Sequence, residues 1–173
     1  KKQLEELEIK IEMEEVLEID KSFKLKTPLY NIRTKDNSYE TRSIIIATGA
    51  ESKKLGVPQE DKLLGRGISY CGTCDGPLFK HKEVAVVGGG DRAIEEAIFL
   101  SGYCQKVTLI HRREELRASR ILEEKARQNP KINFILGSTL EEILGKDKVE
   151  AIKIKNVKTN ALTQLFCQGV FIF

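Results

Sequence analysis

The stretch that decides the fold is "EVAVVGGGDRAIEEAIFLSG", residues 83–102. It begins with an apolar, β-branched run that predicts a buried strand, and the run ends in a cluster of glycines. The residues after the glycines repeat with a helical period, which turns an apolar face toward the strand and leaves Glu95 and Glu96 pointing outward. A strand, a glycine turn and a helix in this order predict a unit of a doubly wound α/β domain.

The glycine cluster matches the dinucleotide-binding pattern G-x-G-x-x-A between a predicted strand and a predicted helix, which is the context the pattern requires. Its residues are Gly88, Gly89, Gly90, Asp91, Arg92 and Ala93. Gly88 permits a tight turn, Gly90 lets the backbone approach a pyrophosphate, and Ala93 lets the helix pack closely on the strand. The N–H groups of the helix N-terminus would bind the anion. A glycine turn of purely structural use is the alternative.

The end of the next predicted strand, within "KVTLIHRREELR" (residues 106–117), is basic where an NAD-binding unit carries Asp or Glu. Guanidinium groups pair with a 2′-phosphate, which a carboxylate would repel. The candidate cofactor-binding residues here are His111, Arg112, Arg113 and Arg117. We therefore predict NADPH as the nucleotide; a solvated basic patch paired with Glu114 and Glu115 is the alternative.

A second candidate site is Cys71-Gly72-Thr73-Cys74, followed directly by Asp75. A structural zinc site needs two further ligands, and the chain has no second C-x-x-C and only His81 and His111. We therefore predict no metal site. Two thiols at this spacing can form a redox-active disulfide, and the carboxyl group of Asp75 could protonate a departing thiolate.

The composition excludes several classes of function. With 29 Lys+Arg against 26 Asp+Glu, the net charge of +3 predicts neither a nucleic-acid partner nor an anionic membrane surface. No apolar run approaches the roughly 18 residues of a membrane span, and the N-terminus lacks the apolar region of a secretory signal. The other cysteines, Cys104 and Cys167, are predicted to be buried and unpaired.

The first third of the chain predicts a different architecture from the glycine unit. Residues 1–10 predict an amphipathic helix, and "EVLEID", "FKLK" and "LYNIRT" predict the strands of a small antiparallel meander. "SIIIATGA" (residues 43–50) predicts a strand buried on both faces of a parallel sheet. Residues 51–67 combine glycines and Pro58 without a sustained period, which predicts a linker between domains.

Beyond the glycine unit, an amphipathic helix from about Leu116 to Gln128 is predicted to stop at Asn129-Pro130. "KINFILG" (residues 131–137) predicts the next strand, antiparallel hairpins follow, and "GVFIF" (residues 169–173) predicts a final buried strand. The predicted fold class is α/β, a Rossmann-like three-layer nucleotide-binding domain with a β-meander and a partial second domain.

Together these pieces resemble the low-molecular-weight thioredoxin reductase family. The resemblance is carried by "IIIATGA", "GRGISYCGTCDG", "EVAVVGGGDRAIEEAIFL", "VTLIHRREELRAS" and "GVFIF", in the family's order and spacing from about Ser43 onward. It implies that Cys71 exchanges electrons with thioredoxin, Cys74 faces the flavin of FAD, and Asp75 is the general acid/base. It also implies a pyrophosphate turn around Gly88, Gly90 and Ala93, a 2′-phosphate clamp of Arg112, Arg113 and Arg117, a homodimer and a cytoplasmic location.

The resemblance also sets the expected domains. Residues 1–52 would be part of an FAD-binding domain, 53–165 the NADPH-binding domain with the C-x-x-C motif, and 166–173 the start of a second FAD-domain segment. The family's N-terminal FAD-binding glycine unit is not found, so we expect an internal portion of a longer reductase. Arg92 stands where the family usually has a small hydroxyl residue. The alternatives are the flavoprotein subunit of alkyl hydroperoxide reductase and a nucleotide-binding module without turnover.

Overall fold

The structure is a computed structural model that describes residues 10–24, 27–49 and 51–173. The chain divides into two compact units, residues 1–50 and 51–173. The helix predicted over residues 1–10 falls almost entirely outside the described residues.

The first unit is an antiparallel meander in the order β1 (Val16–Lys24), β2 (Thr27–Thr34) and β3 (Ser38–Thr41). Its second turn is closed by Thr34, whose N–H donates to the carbonyl of Asn37 at 2.9 Å. The Thr34 hydroxyl accepts from the N–H of Asn37 at 2.9 Å. The predicted meander is confirmed, with its first two predicted strands joined into β1.

The predicted buried strand at "SIIIATGA" is wrong. The described part of this run, residues 43–49, has neither helix nor strand, and the side chains of Ile45 and Ile46 are 92% and 73% exposed. A strand buried on both faces needs hydrogen-bonded neighbours and covering layers. No strand within the described ranges pairs with residues 43–49, so the apolar pattern is not realised here.

The second unit is built on a five-stranded parallel sheet. Its strands are β4 (Ile68–Ser69), β5 (Glu83–Val87), β6 (Lys106–Ile110), β7 (Ile132–Ile135) and β11 (Gly169–Ile172). Their order across the sheet is β4-β11-β5-β6-β7. The helices are α1 (Gly72–Asp75), a 3-10 turn (Gly76–Phe79), α2 (Asp91–Ser101) and α3 (Arg120–Arg127). An antiparallel sheet in the order β10-β9-β8 contains β8 (Ser138–Leu144), β9 (Ala151–Asn156) and β10 (Leu162–Phe166).

Two hydrophobic cores separate the three layers, which confirms the predicted α/β class. Val84 and Val86 of β5 face the helices and pack with Ala93, Ala97 and Leu100 of α2. Ala85 lies on the opposite face of the same strand, in the core shared with the antiparallel sheet. This alternation is the consequence of the two-residue period of a strand with both faces covered.

The connection at residues 51–67 is not a free linker. Glu60 is only 3% exposed, and its carboxylate accepts from the N–H groups of Leu55 at 3.0 Å and Gly56 at 2.7 Å. The hydroxyl of Tyr70 donates to the same carboxylate at 2.7 Å. The Glu60 carboxylate therefore accepts hydrogen bonds from backbone N–H groups that have no helix or sheet partner.

The helix predicted from about Leu116 begins later, at Arg120. The N–H of Arg117 donates to the carbonyl of Gly89 at 2.7 Å, and the N–H of Ser119 donates to the carboxylate of Asp91 at 2.6 Å. Because these donors bind partners outside the segment, residues 112–119 form a loop.

The division of the chain falls between residues 50 and 51, close to the predicted domain boundary. Residues 166–173 were predicted to start a second FAD-domain segment. Instead, all four residues of β11 are buried, and β11 lies between β4 and β5 in the parallel sheet. Residues 166–173 therefore belong to the same unit as residues 53–165. Which cofactor each unit binds stays a prediction.

Candidate functional site

The glycine turn connects β5 to α2. Gly88 has a φ of +154°, and a Cβ there would lie 2.7 Å from both the Cβ of Ala93 and the carbonyl oxygen of Phe173. Any larger residue would collide with the first turn of α2, so glycine is required at this position. Gly90 caps α2 with extended backbone and no side chain, and a Cβ there would meet nothing within 4 Å. The turn leaves open space over the helix N-terminus, as an anion site requires.

His111 lies directly beneath this turn. Its side chain is 5% exposed, and a Cβ built on Gly89 would collide with the imidazole ring. Burial lowers the pKa of His111, and the nearby Arg117, Arg112 and Arg113 lower it further. The ring is therefore neutral at pH 7. Its Nε2 is buried and has no hydrogen-bond partner among the described residues.

The loop with the arginines is fastened to the glycine turn. The Arg117–Gly89 and Ser119–Asp91 hydrogen bonds join residues 112–119 to both sides of the turn. Asp91, predicted to bind the cofactor, thus uses its carboxylate to hold the loop. The glycine turn and the basic loop form one preorganised surface.

A cavity of about 450 Å³ opens beside this surface. Its lining includes Gly88, Gly89, His111, Arg112, Arg117, Thr139 and the segment around Leu55 and Val57. Arg113 does not line it. A volume of this size suits a substantial part of a nucleotide. The glycine cradle, the two guanidinium groups and the unpartnered Nε2 of His111 fit an anionic, hydrogen-bonding ligand.

The thiol pair lies at the start of α1, where Cys71 and Cys74 are joined by a disulfide with a Cα–Cα distance of 5.3 Å. Cys71 is half-buried and caps the helix, because its Sγ accepts from the N–H of Cys74 at 3.2 Å. The buried hydroxyl of Ser69 accepts from the N–H of Cys71 at 3.0 Å. Helix N–H groups aimed at a sulfur stabilise its thiolate, so the geometry favours Cys71 as the more acidic thiol.

Asp75 ends α1, and its N–H donates to the carbonyl of Cys71 at 3.1 Å. It is half-buried and lines a second cavity of about 230 Å³, together with the basic residues Arg66, Lys82 and Lys148. The structure thus keeps Asp75 within one helical turn of the disulfide.

The chain matches one family over residues 1–173, described as pyridine nucleotide-disulphide oxidoreductase. The chain belongs to this family.

Individual relatives of this chain carry a narrower name. A thioredoxin reductase of Treponema pallidum is 43% identical over 173 residues, covering 100% of this chain and 55% of that protein. The crystal structure of Lactococcus lactis thioredoxin reductase (FR conformation) superposes with a TM-score of 0.76 at 42% identity, over 92% of this chain and 52% of that one. The structure of thioredoxin reductase from Giardia duodenalis gives a TM-score of 0.80 at 32% identity, over 92% and 52%. The chain spans about half the length of the relatives it matches.

Helix α2 contacts both candidate sites. The guanidinium group of Arg92 donates to the carbonyl of Tyr70, next to Cys71, at 3.1 Å and lies 5.2 Å from the ring centroid of Phe173. One turn later, Glu96 lies against Gly72. The prediction that Glu96 points outward is wrong. The sequence did contain a signal for an inward-facing Glu96, because it follows the buried Ala93 by three residues and residues i and i+3 share a helix face.

The remaining cysteines, Cys104 and Cys167, are free and buried, as predicted. Burial raises the pKa of Cys104 to about 11 and that of Cys167 to about 12, which keeps both thiols protonated and unreactive. Within residues 10–24, 27–49 and 51–173, no helix is long and apolar enough to cross a membrane. The same residues contain no cluster of His, Cys, Asp and Glu suited to a metal ion.

Proposed function

We propose that this chain is the NADPH-binding and disulfide-carrying portion of a thioredoxin-disulfide reductase. Electrons would pass from NADPH through FAD to the Cys71–Cys74 disulfide and on to thioredoxin. The observation that carries the proposal is the placement of a bonded C-x-x-C pair and a glycine–arginine nucleotide cavity in one compact unit. The names of the relatives support the same activity.

In this proposal the NADPH site is the 450 Å³ cavity. The turn from Gly88 to Gly90 and the N-terminus of α2 would hold the pyrophosphate, and Arg112 and Arg117 would hold the 2′-phosphate. Neutral His111 would offer its free Nε2 to a polar group of the nucleotide without adding charge. Bound NADPH would supply a hydride, the source of the two electrons needed to reduce a disulfide.

The described residues contain a single strand–glycine turn–helix unit, so they offer no second dinucleotide cradle for FAD. FAD is therefore expected from the family resemblance alone.

The thiol chemistry falls to Cys71, Cys74 and Asp75. In the reduced state the Cys71 thiolate, stabilised by the N–H of Cys74, would attack the thioredoxin disulfide and form a mixed disulfide. The Cys74 thiolate would then attack the Cys71 sulfur, which restores the Cys71–Cys74 bond and releases reduced thioredoxin. Asp75 would give a proton to the departing thiolate. Two protein thiols are oxidised and one thioredoxin disulfide is reduced, so the electrons balance.

The proposal also includes the partner, the assembly and the location that the family resemblance implies. Thioredoxin is the protein substrate, the complete enzyme is a homodimer, and it works in the cytoplasm, where lasting structural disulfides are rare. The net charge of +3 supports no nucleic-acid partner.

The test is turnover of the protein expressed from its complete reading frame. NADPH oxidation is followed by absorbance with oxidised thioredoxin as the substrate, and NADPH-driven flavin bleaching is measured separately. Cys71→Ser should abolish thioredoxin reduction while flavin bleaching persists, whereas Cys104→Ala, the matched control at a buried free thiol, should keep both. Thioredoxin reduction by Cys71→Ser would refute the proposal, as would a protein that transfers no electrons from NADPH.

A further inference from the structure

Glu96 is a half-buried ionisable group that the proposed function does not use. A Cβ built on Gly72, the residue after Cys71, would collide with the Glu96 carboxylate. The carboxylate therefore lies directly on the backbone where α1 begins. Its Oε2 is buried and has no hydrogen-bond partner among the residues that the structure describes.

The surroundings of Glu96 leave its charge poorly compensated. Burial raises the pKa of Glu96, and Glu95 acts in the same direction. Arg92 and the N–H groups of Thr73 and Gly72 act to lower the pKa, but the net shift is upward. The Glu96 carboxylate thus lies against the short turn in which the N–H of Cys74 donates to the sulfur of Cys71.

We propose that Glu96 is a positioning residue for the redox chemistry, and that its carboxylate shifts the thiol–disulfide equilibrium of Cys71 and Cys74 toward the disulfide. A negative charge beside the thiolate-stabilising turn opposes the thiolate form of Cys71 and so disfavours the reduced state. A pair biased in this way gives up its electrons more readily, which suits a reductase. The inference rests on the proposed function only in taking Cys71 and Cys74 as a working redox pair.

The sign of the effect can be measured with dithiothreitol alone. In that exchange the Cys71–Cys74 bond breaks, the two protein sulfurs gain two electrons and become thiols, and dithiothreitol loses two electrons and two protons as it closes to its cyclic disulfide. Neither a nicotinamide nucleotide nor thioredoxin takes part. A failure of the nucleotide or partner assignments therefore leaves this measurement unaffected.

Residues 1–173 are equilibrated in mixtures of reduced and oxidised dithiothreitol, and the thiols are trapped with a maleimide and mapped by mass spectrometry. The Glu96→Gln variant keeps the shape and removes the charge. At a pH high enough to ionise Cys71 in the reduced protein, the variant should shift the equilibrium toward the dithiol by about three- to tenfold, because the thiolate no longer faces the Glu96 charge. Tenfold corresponds to about 30 mV for this two-electron couple. The pH profile of Cys71 alkylation should move to lower pH in the same variant.

Glu95→Gln is the matched control, because it removes the same charge from an exposed neighbour on α2. It should leave both readouts close to the wild type. An unchanged equilibrium in Glu96→Gln, or an equal shift in Glu95→Gln, would overturn the proposal.

Arg92→Gln keeps the proposal testable if Glu96→Gln fails to fold. Arg92 is exposed and binds the carbonyl next to Cys71, so loss of its positive charge should shift the equilibrium toward the disulfide. A shift toward the dithiol, or no shift, would contradict an electrostatic origin.

Discussion

The structure distinguishes among the arginines of the basic loop. Arg112 and Arg117 line the 450 Å³ cavity, whereas Arg113 does not. All three side chains are exposed and carry the same charge. We therefore predict that Arg112→Gln and Arg117→Gln weaken NADPH binding, and that Arg113→Gln, the matched control, has a much smaller effect.

The magnitude follows from the hydrogen bonds that each guanidinium group would make. A hydrogen bond to a charged partner contributes about 1.5–3 kcal/mol, and exposure in the cavity mouth favours the lower end of this range. About 1.4 kcal/mol corresponds to a tenfold change in Kd. The Kd for NADPH should therefore rise roughly tenfold in each of the two variants, while the Kd for NADH, which lacks the 2′-phosphate, should change by less than about threefold.

The assay is a calorimetric titration of NADPH and NADH into residues 1–173 and the three variants, repeated at two salt concentrations. The selectivity for NADPH should fall as salt rises, because the charge pairs are exposed. Equal losses for both nucleotides would refute the 2′-phosphate assignment. Losses in Arg113→Gln as large as those in the other two variants would show that general charge, and not the cavity wall, determines affinity.

Two further predictions concern residues that hold the site together. Asp91→Ala should weaken NADPH binding more than NADH binding and lower the unfolding free energy by about 1 kcal/mol, because the N–H of Ser119 loses its carboxylate acceptor. Asp91→Asn keeps an acceptor oxygen and should restore NADPH binding and stability. Equal behaviour of the two variants in nucleotide titrations and urea unfolding would contradict this role of Asp91. Glu60→Gln should lower the unfolding free energy by about 1–3 kcal/mol at neutral pH. The net pKa of Glu60 is lowered, because hydrogen bonds from three backbone N–H groups and Tyr70 outweigh its burial. Its ionised form therefore stabilises the fold above the unfolded pKa of about 4.3, and the difference from the wild type should shrink as pH falls below that value in urea unfolding. A difference that stays constant across this pH range would be inconsistent with the ionised role.

The parts of the fold that follow from local rules could be predicted from the sequence. The run from Glu83 to Gly102 combines a strand, a glycine turn and a helical period, and each occurs as expected in β5, the turn and α2. The buried cysteines and the hairpins after residue 137 follow from similar local patterns. These elements depend mainly on neighbours close in sequence.

The errors come from contacts that a single sequence does not reveal. The apolar run at residues 43–49 has the composition of a buried strand, but a strand also needs partners, and the described residues supply none. Leu116 fits a helical period, yet the helix begins only at Arg120, because Gly89 and Asp91 bind the N–H groups of Arg117 and Ser119. The candidate site residues were predicted by residue type, whereas the position of Glu96 against Gly72 depends on packing between segments that are distant in sequence. Glu60 binds nearby backbone N–H groups, but no motif in the sequence marks it.

We propose that Cys71 and Cys74 form a reversible disulfide in solution. Counting reactive thiols in unfolded residues 1–173, with and without prior reduction, tests it most directly. We expect two more thiols after reduction, mapped to Cys71 and Cys74, with Cys104 and Cys167 free in both states. A C-x-x-C pair that stays reduced under mild oxidant, or that holds stoichiometric zinc, would rule out a redox-active disulfide.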